Sequence, residues 1–160
     1  NITRALIRLQ PESAEYFAQR KQQFDVDILQ LQQTAQRLFS TTPADQRLVV
    51  TSHDAFGYFG REYGIQFIAP LGVNTDSEAS ASNVAQLIRQ IKSQNIRAVF
   101  VENITDPRLM EQVARETGAH IGGSLYSDAL SSVSGPASTY LKMMRHNITL
   151  ISAALESSRE

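Results

Sequence analysis

His53 and Asp128 are the residues of this 160-residue chain whose types and surroundings offer the most chemistry. His53 follows Leu48-Val49-Val50-Thr51 and Ser52, an apolar and β-branched run that reads as a buried strand and its exit. Imidazole is the commonest transition-metal ligand, and Asp54 beside it could orient or tune the ring. The competing reading of His53 is a helix-cap histidine with its hydrogen bonds satisfied. Asp128 lies in the loop after the last apolar run, where an ionised carboxylate can ligate a hard or borderline cation. Ser127-Asp128 is equally turn chemistry. Glu102 ends a third run, next to Asn103, and reads either as an acceptor behind a ligand or as a cap for the segment that follows. His120 and His146 read as structural or surface residues. One His and one Asp do not complete a site, because zinc normally takes about four ligands, or three plus water. The remainder would have to come from elsewhere.

The elements that would position these residues follow from periodicity. Apolar residues recur at helical spacing from Tyr16 and Phe17 through Phe24, Ile28, Leu31, Ala35 and Leu38, which predicts one long helix over 12–39. Pro11 stands at its start, and residues 2–9 are compatible with the tail of an earlier helix. Beyond the turn at 41–45 the chain alternates. Strands are expected at Leu48–Thr51, Ile65–Ala69, Ala98–Val101 and Ala119–Ser124. Helices are expected at Ala55–Tyr63 with Gly64 as its cap, from Ser80 or Ser82 to Gln94, from Asp106-Pro107 to Gly118, and from Ala137 to about Glu156. A long loop is expected over Leu71–Ala79. Regular alternation of strand and helix predicts an α/β fold, a four-stranded parallel sheet flanked by helices and preceded by a long helix. Ligands in such sheets bind at the carboxyl ends of strands. That edge collects Ser52-His53-Asp54, Gly72 to Thr75, Glu102-Asn103 and Ser127-Asp128, so His53 and Asp128 are expected to approach each other.

Composition excludes several classes. A hydrophobic content of 42% suffices for one sizeable core. Lys+Arg 15 against Asp+Glu 16 gives a net charge of -1, without the basic excess or stripe of a nucleic-acid binder. The absence of cysteine rules out disulfides, thiolate metal sites and thiol catalysis. No stretch approaches the roughly 18 apolar residues of a membrane span. The chain opens on Asn1 without an initiator Met, as a fragment or processed product would, so the lack of a signal peptide says little about location. No phosphate-binding glycine loop, nucleophile elbow or H-E-x-x-H motif is present. An enzyme using His53 and Asp128 as an acid/base pair would lack both nucleophile and phosphate loop. Three N-x-T sequons, at Asn1, Asn103 and Asn147, are short enough to arise by chance. The aromatics Phe56, Tyr58, Phe59 and Tyr63 read as core packing around His53.

Thr51-Ser52-His53-Asp54-Ala55-Phe56-Gly57-Tyr58-Phe59, followed by Tyr63-Gly64, resembles the signature T-S-(H/E)-x-A-F-x-Y-F-x-x-x-Y-G of the cluster A-I metal receptors of ABC importers. Phe100-Val101-Glu102 with Asp106, Arg108 and Met110 resembles a second block of that family, Leu125–Leu130 the block of the last ligand, and Tyr140–Asn147 its terminal helix. The resemblance implies two lobes joined by one long helix, with a metal ion between them. It assigns residues 1–40 to the connecting-helix region and 41–160 to the C-terminal lobe, with the N-terminal lobe and its two histidines absent. It places the third ligand on His53 and the fourth on Asp128, with Asp54 and Glu102 as supporting residues. It further implies capture of Zn2+, with Mn2+ or Fe2+ as alternatives, and delivery to an ABC permease in the membrane. No reaction is catalysed, and the setting is periplasmic or anchored outside the cytoplasmic membrane of a bacterium. Some relatives act as adhesins, so a metal-independent interaction module is a further alternative. The helix face made for the missing lobe is expected to be apolar and to promote self-association of this chain.

Overall fold

Pro11 decides how the chain begins. In a computed structural model, which describes residues 1–70 and 79–157, a first helix α1 (Ile2–Leu9) gives way to a 3-10 turn at Pro11–Ser13. Proline lacks an amide donor and clashes with the preceding turn, so a helix cannot run through it. The long helix α2 therefore spans Ala14–Ser40 instead of 12–39, and the helical tail suspected at 2–9 is a helix of its own. After a 3-10 turn at Ala44–Gln46 come β1 (Leu48–Val50), α3 (Gly57–Tyr63), β2 (Gln66–Ile68), α4 (Ala81–Ser93), β3 (Ala98–Glu102), α5 (Arg108–Thr117), β4 (His120–Leu125) and α6 (Tyr140–Ser157). The expected loop over Leu71–Ala79, with its Gly72 to Thr75, falls almost wholly on residues 71–78, outside the described residues.

The four strands form one parallel sheet in the order β2-β1-β3-β4. Side chains alternate across it, as the pleat requires. Val49, Ala98 and Phe100 enter one core with Leu31, Ala35 and Phe39 of α2, with α3, and with Ile148, Ile151 and Leu155 of α6. Val50, Val99 and Val101 face the other way, into a second core with Leu87 and Ile91 of α4 and Met110 and Val113 of α5. Both faces are covered, which is why the strands read as continuous apolar runs. The helix ends follow their local chemistry. Ser80 Oγ accepts from Asn83 N at 3.1 Å to cap α4, while Gly64 at φ 64° and Gly118 at φ 77° close α3 and α5 in the left-handed region. The last helix starts at Tyr140, not Ala137, because residues 131 and 137 are tied to each other. Ser131 N donates to Ala137 O at 3.1 Å, and Ala137 N donates to Ser131 Oγ at 3.0 Å.

The long helix is buried unevenly. Only Leu31, Ala35 and Phe39 are buried, spaced four apart along its second half. Before them, Tyr16, Phe24 and Leu29 are exposed, and α1 adds Ile2 and Leu9, 79% and 78% exposed. Apolar side chains are thus left exposed on α1 and on α2 ahead of Leu31, and one of them, Phe24, has its ring 6.3 Å from that of Tyr140.

Gly60 sets how closely α3 approaches β2. A Cβ there would lie 2.5 Å from the Ile65 carbonyl oxygen and 3.0 Å from the Phe67 ring. The carbonyl belongs to the main chain and cannot step aside. Gly60→Ala is expected to destabilise the fold by about 1–3 kcal/mol through overpacking. Gly57→Ala, whose Cβ would meet nothing within 4 Å, is expected to be near neutral. Urea unfolding followed by circular dichroism measures both.

Candidate metal centre

The strand order reverses between β1 and β3. The chain leaves β1 outward to β2, then crosses back to β3 on the other side. Adjacent loops diverge at such a point and leave a crevice at the carboxyl edge. His53 and Glu102 stand there. Thr51 N still donates to Ile68 O at 3.0 Å, prolonging the sheet, and Thr51 Oγ1 then donates to His53 O at 3.0 Å, which bends the chain inward. His53 ends 1% exposed.

Glu102, the last residue of β3, holds His53 with both carboxylate oxygens. Oε1 accepts from the His53 backbone N–H at 3.0 Å, and Oε2 lies 3.0 Å from ring Nδ1. The second contact is close but poorly aligned, and neither Nδ1 nor Oε2 has a well-formed hydrogen bond. On the other side of the ring, Nε2 lies 3.2 Å from Asp128 Oδ2, across a sequence separation of 75. The two residues do meet at one edge of the sheet. Asp128 is mostly exposed, its side chain 65% accessible.

This arrangement is short of cations. A carboxylate oxygen stands beside each ring nitrogen, and a ring whose proton sits on Nδ1 turns its Nε2 lone pair to the Asp128 carboxylate. Two lone pairs at 3.2 Å repel unless a proton or a metal ion lies between them. Zinc–nitrogen and zinc–oxygen bonds of about 2.0–2.2 Å at a tetrahedral angle would separate two donors by roughly 3.3 Å, close to the distance observed. Among the described residues, the buried side-chain polar atoms without a hydrogen-bond partner belong to Ser52, His53, Glu102 and Ser127. All lie at these two strand ends or beside the two donors, and such a concentration of unsatisfied groups marks a functional place in a fold. Among the described residues no group of three or more His, Cys, Asp or Glu side chains is placed to hold an ion. Glu102 sits on the Nδ1 side of the ring, so His53 and Asp128 together offer two donors.

Asp54 does not perform the task suggested by its position. It is exposed, and among the described residues no hydrogen bond joins it to the His53 ring, whose Nδ1 faces Glu102. The chain turns between the two, with Ala55 N donating to His53 O at 3.1 Å, so that adjacent side chains diverge. Asp54 instead borders a shallow hollow beside the two donors, with Gly57, Tyr58 and Arg61. Of the aromatics, Phe56, Phe59 and Tyr63 pack in the core with Phe39 and Phe67. Burial pushes the Tyr63 hydroxyl above the usual phenol range, with the Glu62 charge and Tyr140 acting in the same direction. Tyr58 is the exception, 85% exposed, with the Arg61 guanidinium 5.0 Å from its ring centre.

The loop carrying Asp128 is anchored by residues that sequence reasoning missed. Asn147 of α6, 2% exposed, accepts from Tyr126 N at 3.0 Å and donates from Nδ2 to Tyr126 O at 2.7 Å. It pairs with that residue as a neighbouring strand would. His146 proves structural, with Nε2 2.9 Å from Ser124 O and its ring against Tyr126. Asn103 Nδ2 donates to Ala129 O at 3.2 Å. His120 is exposed at the start of β4. The one available signal for Asn147 was an amide on the apolar face of α6, among Met143, Ile148 and Ile151.

Residues 1–154 match the family described as zinc-uptake complex component A, periplasmic, and the chain belongs to that family. It is 36% identical to the zinc-binding protein TroA of Treponema pallidum over 159 residues, 96% of this chain and 52% of TroA. It is 35% identical to the manganese-binding lipoprotein MntA of Bacillus subtilis, over 91% of this chain and 49% of MntA. The iron-binding protein YfeA of Yersinia pestis is 32% identical over 94% of this chain and 49% of YfeA. The solved structure of TroA superposes with a TM-score of 0.91 at 34% identity, over 96% of this chain and 57% of that one. The chain spans about half the length of the curated relatives it matches.

The double hydrogen bond of Asn147 gives a direct test of how the Asp128 loop is held. Asn147→Leu leaves the Tyr126 N–H and C=O without partners beneath α6. A loss of at least about 2 kcal/mol is expected, since two groups lose their partners and each costs roughly 1–3 kcal/mol. Amide exchange at Tyr126 should accelerate beyond the global change, as NMR would read directly.

Proposed function

We propose that this chain is the C-terminal lobe, with its connecting helix, of a receptor that captures a divalent transition metal and hands it to an ABC permease. Residues 1–40 form the connecting region and 41–160 the lobe. His53 and Asp128 supply half of the ligand set, and an N-terminal lobe supplies the rest. The observation that carries this reading is the 3.2 Å separation of His53 Nε2 and Asp128 Oδ2, with Glu102 behind the ring. A carboxylate on the far nitrogen of a ligating histidine fixes its orientation and raises its basicity.

Family membership puts the protein outside the cytoplasmic membrane, where its relatives are periplasmic proteins or lipoproteins. Those relatives are binding proteins, and the proposal contains no chemical step. Zinc is the favoured cargo, because imidazole at position 53 suits a borderline ion. Manganese and iron are the alternatives carried by relatives named for them. The apolar side chains left exposed on α1 and on α2 ahead of Leu31 support the domain assignment, being suited to contact with a second lobe.

Calorimetry on the intact protein tests the proposal. Tight one-to-one zinc binding is expected, falling by more than about 100-fold in His53→Ala and by less in Asp128→Asn, because the exposed carboxylate is the less confined donor. Zinc binding unchanged in both variants would place the ligands elsewhere. Residues 1–160 alone should bind zinc weakly, since two donors leave the ion mostly hydrated. The same 160-residue chain should also self-associate through the apolar side chains exposed on α1 and α2. Sedimentation velocity would show a concentration-dependent rise in mass, reduced by Leu9→Asp, and a monomer at every concentration would contradict it.

A further inference from the structure

Asp128 is exposed, yet the backbone that carries it is held at both ends by a single residue. Asn103 N donates to Leu125 O at 3.0 Å, three residues before Asp128, and Asn103 Nδ2 donates to Ala129 O at 3.2 Å, one residue after it. We propose that Asn103 is a positioning residue for Asp128, and that Glu102 and Asn103 together form a yoke fixing the two donors relative to each other. This rests on the reading of His53 and Asp128 as metal ligands.

The two residues of the yoke are adjacent and divide the work. Glu102 takes the His53 backbone N–H and lies against its ring, while Asn103 closes the segment from Leu125 to Ala129. One peptide unit joins them, so the contacts to His53 and to the Asp128 loop start from adjacent points at the end of β3. The competing assignment, that Asn103 merely caps the turn ahead, does not fit the bonds observed. That turn is closed by the Glu102 carbonyl, which accepts from Thr105 N at 3.2 Å and from Thr105 Oγ1 at 3.3 Å. The Asn103 amide is directed to the Asp128 loop instead.

The residue type fits the task. Ala129 O takes a side-chain N–H donor, and an isosteric aspartate would set oxygen against oxygen. Asn103 is exposed, so its hydrogen bond adds little to overall stability. Its effect should therefore appear in binding, as the loss of a supporting contact typically weakens a metal site about 10–100-fold.

The test uses Co2+ as the probe on the intact protein, because its visible d–d bands report ligand set and geometry. Affinity and spectrum are measured for wild type, Asn103→Ala, Asn103→Gln and His53→Ala, alongside the melting temperature of each without metal. The expected result is a loss of about 10-fold or more in Co2+ affinity with altered bands in Asn103→Ala. Partial recovery is expected in Asn103→Gln, which keeps the amide, with little change in metal-free melting temperature for either. Wild-type affinity and bands in Asn103→Ala, while His53→Ala binds weakly, would overturn the yoke and leave the ligand reading standing. Wild-type binding in His53→Ala would remove the ligand reading and the yoke with it. An affinity loss in Asn103→Ala matched by a comparable fall in metal-free stability would make Asn103 a general structural residue and also overturn the proposal.

Discussion

The carboxyl edge of the sheet is organised by the burial of Glu102. Its side chain is fully enclosed, and a buried carboxylate is costly unless hydrogen-bonded or paired. Relief comes from one residue, His53, which presents a backbone N–H to one oxygen and a ring nitrogen to the other. That arrangement requires β1 and β3 to be neighbours, as the pairing of Val50 with Val99 makes them. It also requires the chain to turn inward after Thr51. One oxygen is satisfied by the His53 backbone N–H and the other stands beside the ring, so burying the carboxylate also places the imidazole, with its far nitrogen aimed outward.

The rest of the lobe serves that edge at a distance. Two cores, one on each face of the sheet, keep short strands in register although β1 and β2 have only three residues each. The α6 helix contributes most to the first core, with Ile148, Ile151, Ala154 and Leu155. It also reaches past the end of β4 with His146 and Asn147, so the packing that stabilises the fold fixes the loop bearing Asp128. Packing and site geometry share elements, and disturbance of one reaches the other.

Much of this was legible in the sequence. Helices announced themselves by apolar spacing, strands by β-branched runs, and α3 and α5 by the glycines that end them. The strand-end rule brought His53 and Asp128 to one edge, because parallel topology alone does so. What escaped was of another kind. Asp54 and Glu102 were both candidates to support His53, and the sequence could not choose between them, because the one that does so is 49 residues away and is brought near by strand order. Asn103 and Asn147 bond to main-chain atoms 26 and 21 residues distant, and a backbone acceptor has no residue type for a pattern to register. The start of α2 moved from 12 to 14 because Pro11 begins a tighter turn, a difference of helix type that periodicity does not resolve.

The uneven burial of α2 has a mechanical meaning. At 1.5 Å per residue its 27 residues reach about 40 Å, and no residue before Leu31 is buried. It is a beam clamped along its second half and cantilevered beyond. Its bending is resisted by its own ladder of backbone hydrogen bonds, and small angular fluctuations at the clamp grow into larger displacements along its length. Leu31, Ala35 and Phe39 are the fulcrum. Whatever the first half carries is levered from those three side chains, with Phe24 against Tyr140 as a lighter prop ahead of them.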